Sequence, residues 1–252
     1  MDYEPVMAET YDAVYAQIRD PSGDRDWYRA RAVAAGGPAL ELGCGTGRVL
    51  LHVAAAGVEV VGVDPSDAML GALRAKSPPP NVSTVRATFQ TLALDRRDFA
   101  FAYAPFRAFQ HLLTVDDQLE GLARIRDHLR PADGGGGGRL AFDVFEPNPA
   151  RIAVAREDEV EHLRFVHQGR TVIRWVSITR DRLTQTMDVV FRFSELDGTT
   201  LGVQSAPLRW IWRYELEHLL VRAGFVPESW SSGYDGRPYE ARGEIVVVAR
   251  RA

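Results

Sequence analysis

Three glycines at alternate positions, Gly43, Gly45 and Gly47, stand within Leu40-Glu41-Leu42-Gly43-Cys44-Gly45-Thr46-Gly47-Arg48-Val49, and an acid, Asp64, follows Gly43 by 21 positions. An apolar run leads into the glycines, and Val49, Leu50 and Val53 leave them at helical spacing. A strand, a glycine turn and a helix in that order form the nucleoside- or phosphate-binding corner of a doubly wound sheet. Glycine is needed there because a side chain would hold the backbone away from the ligand. Val58 to Asp64 reads as the next parallel strand. A carboxylate at its tip, about 20 residues past the first glycine, can accept both hydroxyls of a ribose. The plainer role for Asp64 is a turn residue before Pro65, capping a helix from Ser66.

The spacing is G-x-G-x-G, whereas a dinucleotide fingerprint is G-x-G-x-x-G. Arg48 occupies the place of the third glycine, and Glu41 sits in the strand where a pyrophosphate would approach. Both departures disfavour NAD and FAD, and titration with NADH tests the oxidoreductase alternative. Glu41-Leu42-Gly43-Cys44-Gly45-Thr46-Gly47 and Val63-Asp64 resemble the first and second motifs of class I S-adenosylmethionine-dependent methyltransferases. The resemblance runs over nearly the whole chain and implies S-adenosyl-L-methionine as cofactor.

It also implies roles for named residues. Glu41, Gly43, Cys44, Gly45 and Gly47 would form the cofactor turn, with Asp64, Pro65 and Met69 beside it. Tyr11 and Tyr15, in a Tyr-Asp-x-x-Tyr helix, would cover the methionine end. Relatives carry an acid two positions past strand three to bind adenine; here Thr88 stands there, so Thr88, Phe89 and Gln90 become the adenine candidates. Ala104 and Phe106, at the end of strand four, would open the active site. The sulfonium methyl is already activated, so the reaction needs an acceptor lone pair aligned for in-line displacement. An amine need only be neutral, whereas a hydroxyl usually needs a base. His111 is the best-placed base; its structural role would be simple packing. His128 and His218 are expected on solvated helix surfaces.

The elements that must position these residues follow from periodicity. Tyr11, Val14, Tyr15 and Ile18 mark an amphipathic helix over 7–19. A second helix covers about 24–35 and stops at Gly36-Gly37-Pro38. After Asp64 come a helix from Ser66 to Lys76, strand three from Val82 to Ala87 and strand four from Phe99 to Ala104. Thr114 and Asp117 form a capping box for the helix ending at Arg130-Pro131. Asp133 and the five glycines to Gly138 read as a loop. Strand five is Arg139 to Phe145. Tyr214 to Arg222 returns to helix, and Glu244 to Ala249 is the last strand.

Between these, residues 148–170 look helical or irregular, and from 171 to about 212 the period becomes two. The organisation is thus an α/β, Rossmann-like seven-stranded methyltransferase sheet (1–147 and 208–252) with an inserted antiparallel piece (148–207). That insert would lie over the carboxyl ends of the strands as a lid, with Trp175, Phe191 and Phe193 inward and Arg174 suited to an acidic group on the substrate. A dimer interface, hence a homodimer, or a self-packed sheet are its other uses. Sugar-amine and glycine-type N-methyltransferases, which the chain resembles, carry such an insert, implying a small polar acceptor.

Composition narrows the classes. The chain has 252 residues, 46% hydrophobic, with one cysteine, Cys44. No disulfide framework or zinc spacing is present, and no secretory signal or long apolar span is visible, which fits a cytoplasmic protein without membrane or metal partners. The net charge of −4, with Lys76 the only lysine, argues against nucleic acid. A non-catalytic cofactor-binding subunit is the third reading, and turnover by the isolated chain would decide against it.

Overall fold

The computed structural model describes residues 4–19, 22–132 and 136–252. Helices α1 (Pro5–Ile18) and α2 (Asp24–Ala35) precede β1 (Ala39–Leu42), α3 (Leu50–Ala54), β2 (Val60–Asp64), α4 (Asp67–Ala75), β3 (Val82–Arg86) and β4 (Phe101–Ala104). A 3₁₀ turn at Ala108–His111, α5 (Val115–His128) and β5 (Arg139–Phe145) follow. Then come α6 (Pro149–Ile152), β6 (Arg156–His167), β7 (Arg170–Asp181), β8 (Thr186–Glu195) and β9 (Thr200–Arg209), and finally α7 (Arg213–Arg222), β10 (Phe225–Ser231) and β11 (Glu244–Arg251).

Seven strands form one sheet in the order β10-β11-β5-β4-β1-β2-β3. All are parallel except β11, which runs antiparallel to both neighbours. Both faces are buried, so its strands are nearly continuous in apolar residues, as expected when helices cover a parallel sheet on two sides. Leu40, Leu42, Phe142 and Val144 pack with Leu122 and Ile125 of α5 and Leu216 and Leu220 of α7. On the other face Phe101 and Tyr103 pack with Tyr28 of α2, Leu50 of α3 and Leu70 of α4. Strand order reverses between β1 and β4, and the crevice there is where such sheets bind ligands.

The second sheet is antiparallel, in the order β6-β7-β8-β9. Gly198, at φ +91°, makes the hairpin between β8 and β9 that Asp197-Gly198 signals. Helix α1 lies between the sheets. Its Met7, Val14 and Tyr15 share a core with Phe165, Val172 and Phe193 of the insert and Met69 of α4.

Two expectations change. Residues 148–170 are mainly strand β6, not helix or irregular chain. It is an edge strand, exposed along most of its length and broken by two register shifts, so charges replace the alternation that would mark it. His128 is not solvated but 1% exposed. Its Nδ1 donates to the Arg124 carbonyl at 2.6 Å and its Nε2 accepts from Leu94 N at 2.9 Å, which fixes the neutral ring. Part of the glycine loop, residues 133–135, lies outside the described residues.

Candidate active site

The glycine turn leaves β1 at the carboxyl edge of the sheet. Gly43 has φ +69°, and a Cβ there would meet the Ala108 Cβ at 2.8 Å. Gly45 has φ +53°, and a Cβ there would have no protein atom within 4 Å, because that side of the turn is the wall of a cavity. Asp64, at the end of β2, is 4% exposed. Its Oδ2 accepts from Gly45 N at 2.8 Å and its Oδ1 from Ser66 N at 2.9 Å. These two bonds orient the carboxylate at the cavity wall.

The cavity, about 830 Å³, runs from this corner to the inner face of the second sheet. Of the residues singled out in the sequence, Tyr11, Tyr15, Gly43, Gly45, Asp64, Pro65, Met69, Thr88, Phe89, Gln90, Phe106, His111 and Arg174 line it. Tyr11, Tyr15 and Phe106 form a row, with ring centroids 4.3 and 4.9 Å apart. Gln90 donates its amide to Asp117 Oδ1 at 3.1 Å, which turns its carbonyl oxygen into an acceptor for an amino group.

Glu41, Cys44, Gly47 and Ala104 do not line the cavity. Gly47 is small because Leu73 of α4 would lie 2.9 Å from a Cβ. Ala104 is buried within the sheet, and Pro105 takes the wall position after it. Cys44 lies buried against Gly62, and burial pushes its thiol well above the ordinary range, away from thiolate chemistry. Glu41 is buried beside Tyr103, and among the described residues its Oε2 has no hydrogen-bond partner. Burial pushes its carboxyl up to about 8, so the folded chain holds it protonated near pH 7.

A sign follows for stability. The unfolded chain ionises Glu41 near pH 4.5, and the folded chain only near 8, so this residue lowers stability progressively as pH rises between those values. Glu41→Gln should therefore gain on the parent across that window, by up to about 1.4 kcal/mol per pH unit. Urea midpoints at pH 6 and pH 8 measure it; parallel shifts in both proteins would refute the assignment.

His111 closes the 3₁₀ turn. Its Nδ1 lies 2.8 Å from the Pro207 carbonyl of β9, which can only accept, so Nδ1 carries the proton. Burial lowers its basicity. The neutral ring therefore offers a bare Nε2 lone pair.

Buried charge fixes the loop after β4. Phe106 and Arg107 are consecutive left-handed residues, at φ 55° and 65°. Their N–H groups donate to Asp143 of β5, at 2.8 Å to Oδ1 and 3.1 Å to Oδ2. Asp143 also accepts from the Tyr28 hydroxyl at 2.8 Å and from Arg19 at 3.2 Å. Arg19 in turn contacts Asp24 and Glu244 and stacks 4.9 Å over Phe106. Sequence reading gave Asp143 and Arg19 no role, since their partners come from four separate stretches of chain.

The insert presents Arg174, Val176, Ile178 and Arg180 of β7 to the cavity, together with Phe191 of β8. Trp175 is not inward as expected. The strand pleat places it on the opposite face, where its indole donates to Ser194 at 3.0 Å and Arg192 stacks on it. Phe193 shares the inner face but packs against α1 rather than the cavity. His162 of β6 also lines the cavity and was missed, because its segment did not read as a strand.

These residues fit S-adenosylmethionine. Asp64 can hold a ribose, the open turn at Gly45 can admit the amino-acid end, and Phe89 with Gln90 can meet adenine. The sequence family described as "Methyltransferase domain" matches residues 39–135. The cypemycin N-terminal methyltransferase of a Streptomyces species is 28% identical over 250 residues, 99% of this chain and 97% of that protein. Among solved structures, the CcbJ methyltransferase of Streptomyces caelestis is 28% identical with a TM-score of 0.75, covering 92% of this chain and 96% of its own. An S-adenosylmethionine-bound amino pentose methyltransferase from Micromonospora echinaspora, involved in calicheamicin biosynthesis, is 25% identical with a TM-score of 0.68, covering 96% and 97%.

Proposed function

Because the chain is a class I S-adenosylmethionine-dependent methyltransferase, we propose that it methylates an amine of a small polar molecule or a peptide N-terminus. The observation that carries this reading is the single chamber joining the Asp64–Gly45 corner to the insert, with room for two ligands. The name of the cypemycin relative describes methylation at an N-terminus, and that of the second relative describes methylation of an amino pentose, an acceptor that carries an amine. Residues 148–207 then act as the lid over the acceptor, because β5 delivers the chain into the insert at the carboxyl edge of the sheet.

The bound cofactor supplies an activated methyl group. Everything else falls to the chain. Asp64, Gly43, Gly45 and the Thr88–Gln90 segment hold the nucleoside. Tyr11, Tyr15 and Phe106 wall the reacting end and keep water from it. An ammonium has no lone pair, so an acceptor that arrives protonated must first lose a proton. The His111 Nε2 lone pair accepts it, and the Pro207 carbonyl steadies the imidazolium through Nδ1–H. A hydroxyl acceptor would make the same demand on His111.

The test is product mass from an amine and alcohol panel. A gain of one or two methyl groups on amines alone is expected; methylation of alcohols alone would overturn the nitrogen assignment. With an active amine, kcat should fall on the acid side at a pH below the ordinary histidine value, since burial lowers His111. His111→Gln should lower kcat about 100-fold or more and abolish that limb, with KM little changed. An unchanged limb would remove His111 from the chemistry.

A further inference from the structure

Arg174 is the most buried guanidinium of the molecule, 1% exposed, and it stands on the cavity wall. Its partners are His162 Nδ1, at 3.2 Å from Nε and 2.8 Å from a terminal nitrogen, and the Tyr15 hydroxyl at 3.4 Å. Phe191 lies 4.6 Å beneath it. None of these is an acid. The other arginines on the wall each have one: Arg180 and Arg151 share Glu157, and Arg107 meets Glu244. Among the described residues Arg174 thus has no counter-ion; a full charge taken out of water in that way is costly, and an aromatic face offsets only part of that cost.

A guanidinium has only donors. His162 therefore turns the lone pair of Nδ1 towards Arg174, and its proton resides on Nε2. The histidine cannot serve as a base at Nδ1, and its Nε2–H is a second donor at the same wall. Among the described residues, two of the five Arg174 N–H bonds also have no partner.

We propose that Arg174 and His162 form a receptor for an oxyanion, a carboxylate or phosphate oxygen, on the acceptor molecule. The proposal rests on the methyl-transfer reading above and adds the acceptor's second group: an amine to be methylated and an anion by which it is held. The lid strand β7 carries the receptor, so it selects acceptors and leaves the nucleoside corner untouched.

The test begins with binding, on the full chain loaded with S-adenosylhomocysteine. Acetate and inorganic phosphate are titrated into the parent, Arg174→Gln and Arg174→Lys, following arginine Nε–H resonances. One of the two anions should bind the parent and perturb a resonance that Arg174→Gln lacks. Arg174→Gln should weaken it tenfold or more, and Arg174→Lys, which keeps the charge without the fork, by less. Affinity for S-adenosylhomocysteine should stay within twofold in all three. Anion binding that is absent from the parent, or indifferent to both variants, overturns the receptor. If Arg174→Gln does not fold, Arg174→Lys with unaltered anion affinity overturns it equally.

A second arm separates the sources of the anion. Should Arg174→Gln weaken S-adenosylmethionine but not its decarboxylated analogue, Arg174 holds the cofactor's own carboxylate and the acceptor assignment falls. Paired acceptors complete the test: phenylalanine against phenethylamine, and glucosamine 6-phosphate against glucosamine. The parent should prefer an anionic member at least tenfold in kcat/KM, and Arg174→Gln should lose that preference; a parent that prefers the neutral members overturns the proposal. Intact anion binding with no amine methylated would sink the amine reading while leaving the receptor standing.

Discussion

Replacing Asp64 with alanine is expected to weaken S-adenosylmethionine binding by a factor of tens to several hundred. Hydrogen bonds to a charged group are worth about 1.5–3 kcal/mol each, and the loss of two ribose bonds, partly recovered by water, comes to about 2–4 kcal/mol. The geometry adds a second reason. Asp64 already bonds Gly45 N and Ser66 N, so its removal also frees the glycine turn from the tip of β2. Asp64→Asn separates the two effects, because the amide keeps one acceptor and the shape. It should bind with intermediate affinity. Calorimetry measures all three, with circular dichroism to show that each is folded. A folded Asp64→Ala that binds as tightly as the parent would falsify the ribose assignment.

The largest effect on stability is expected at Asp143. Its carboxylate is buried and accepts four hydrogen bonds, from Tyr28, Arg19, Phe106 N and Arg107 N. Asp143→Ala leaves Arg19 with less compensation and two backbone donors without partners. Breaking a buried pair from one side costs about 3–5 kcal/mol, which in a chain of this size lowers Tm by roughly 6–20 °C. The loop after β4 should suffer most, since two non-glycine residues in the left-handed region cost about 1–2 kcal/mol each and need an external hold. Asp143→Asn keeps the size but presents donors towards Arg19, and it should recover only part of the loss. A Tm for Asp143→Ala within 2 °C of the parent would show that the network is dispensable.

The parts of the site legible in the sequence are those that depend on local backbone. Gly43, Gly45 and Asp64 are neighbours through one strand-turn-helix unit, and their order along the chain determines their meeting. The cavity wall from Thr88 to Gln90 follows from the end of β3 in the same way. What was not legible depends on parity and on distant partners. Trp175 faces outward and Arg174 inward because β7 presents its even-numbered residues to the cavity. Hydrophobicity suggests the reverse, and only strand register decides it. The two register shifts in β6 hid His162 in the same manner. Asp143 looked like one polar residue in an apolar strand; its partners lie 36 to 124 positions away.

Helix α1 is held at both ends of the chamber. Asp12 accepts from Thr46 of the glycine turn at 2.7 Å and pairs with Lys76, which also donates to the Thr46 carbonyl. At the other end Gln204 of β9 accepts from Glu4 N at 2.7 Å. One helix thus touches both the glycine turn and the insert, the proposed places of cofactor and acceptor. Whatever free energy an acceptor spends in settling α1, the cofactor need not spend again, and the coupling is the same in both directions. The thermodynamic cycle then favours the doubly loaded chain over either singly loaded one. On the proposed reading, departure of one product would then loosen the grip on the other and tie the residence time of spent cofactor to that of the methylated product.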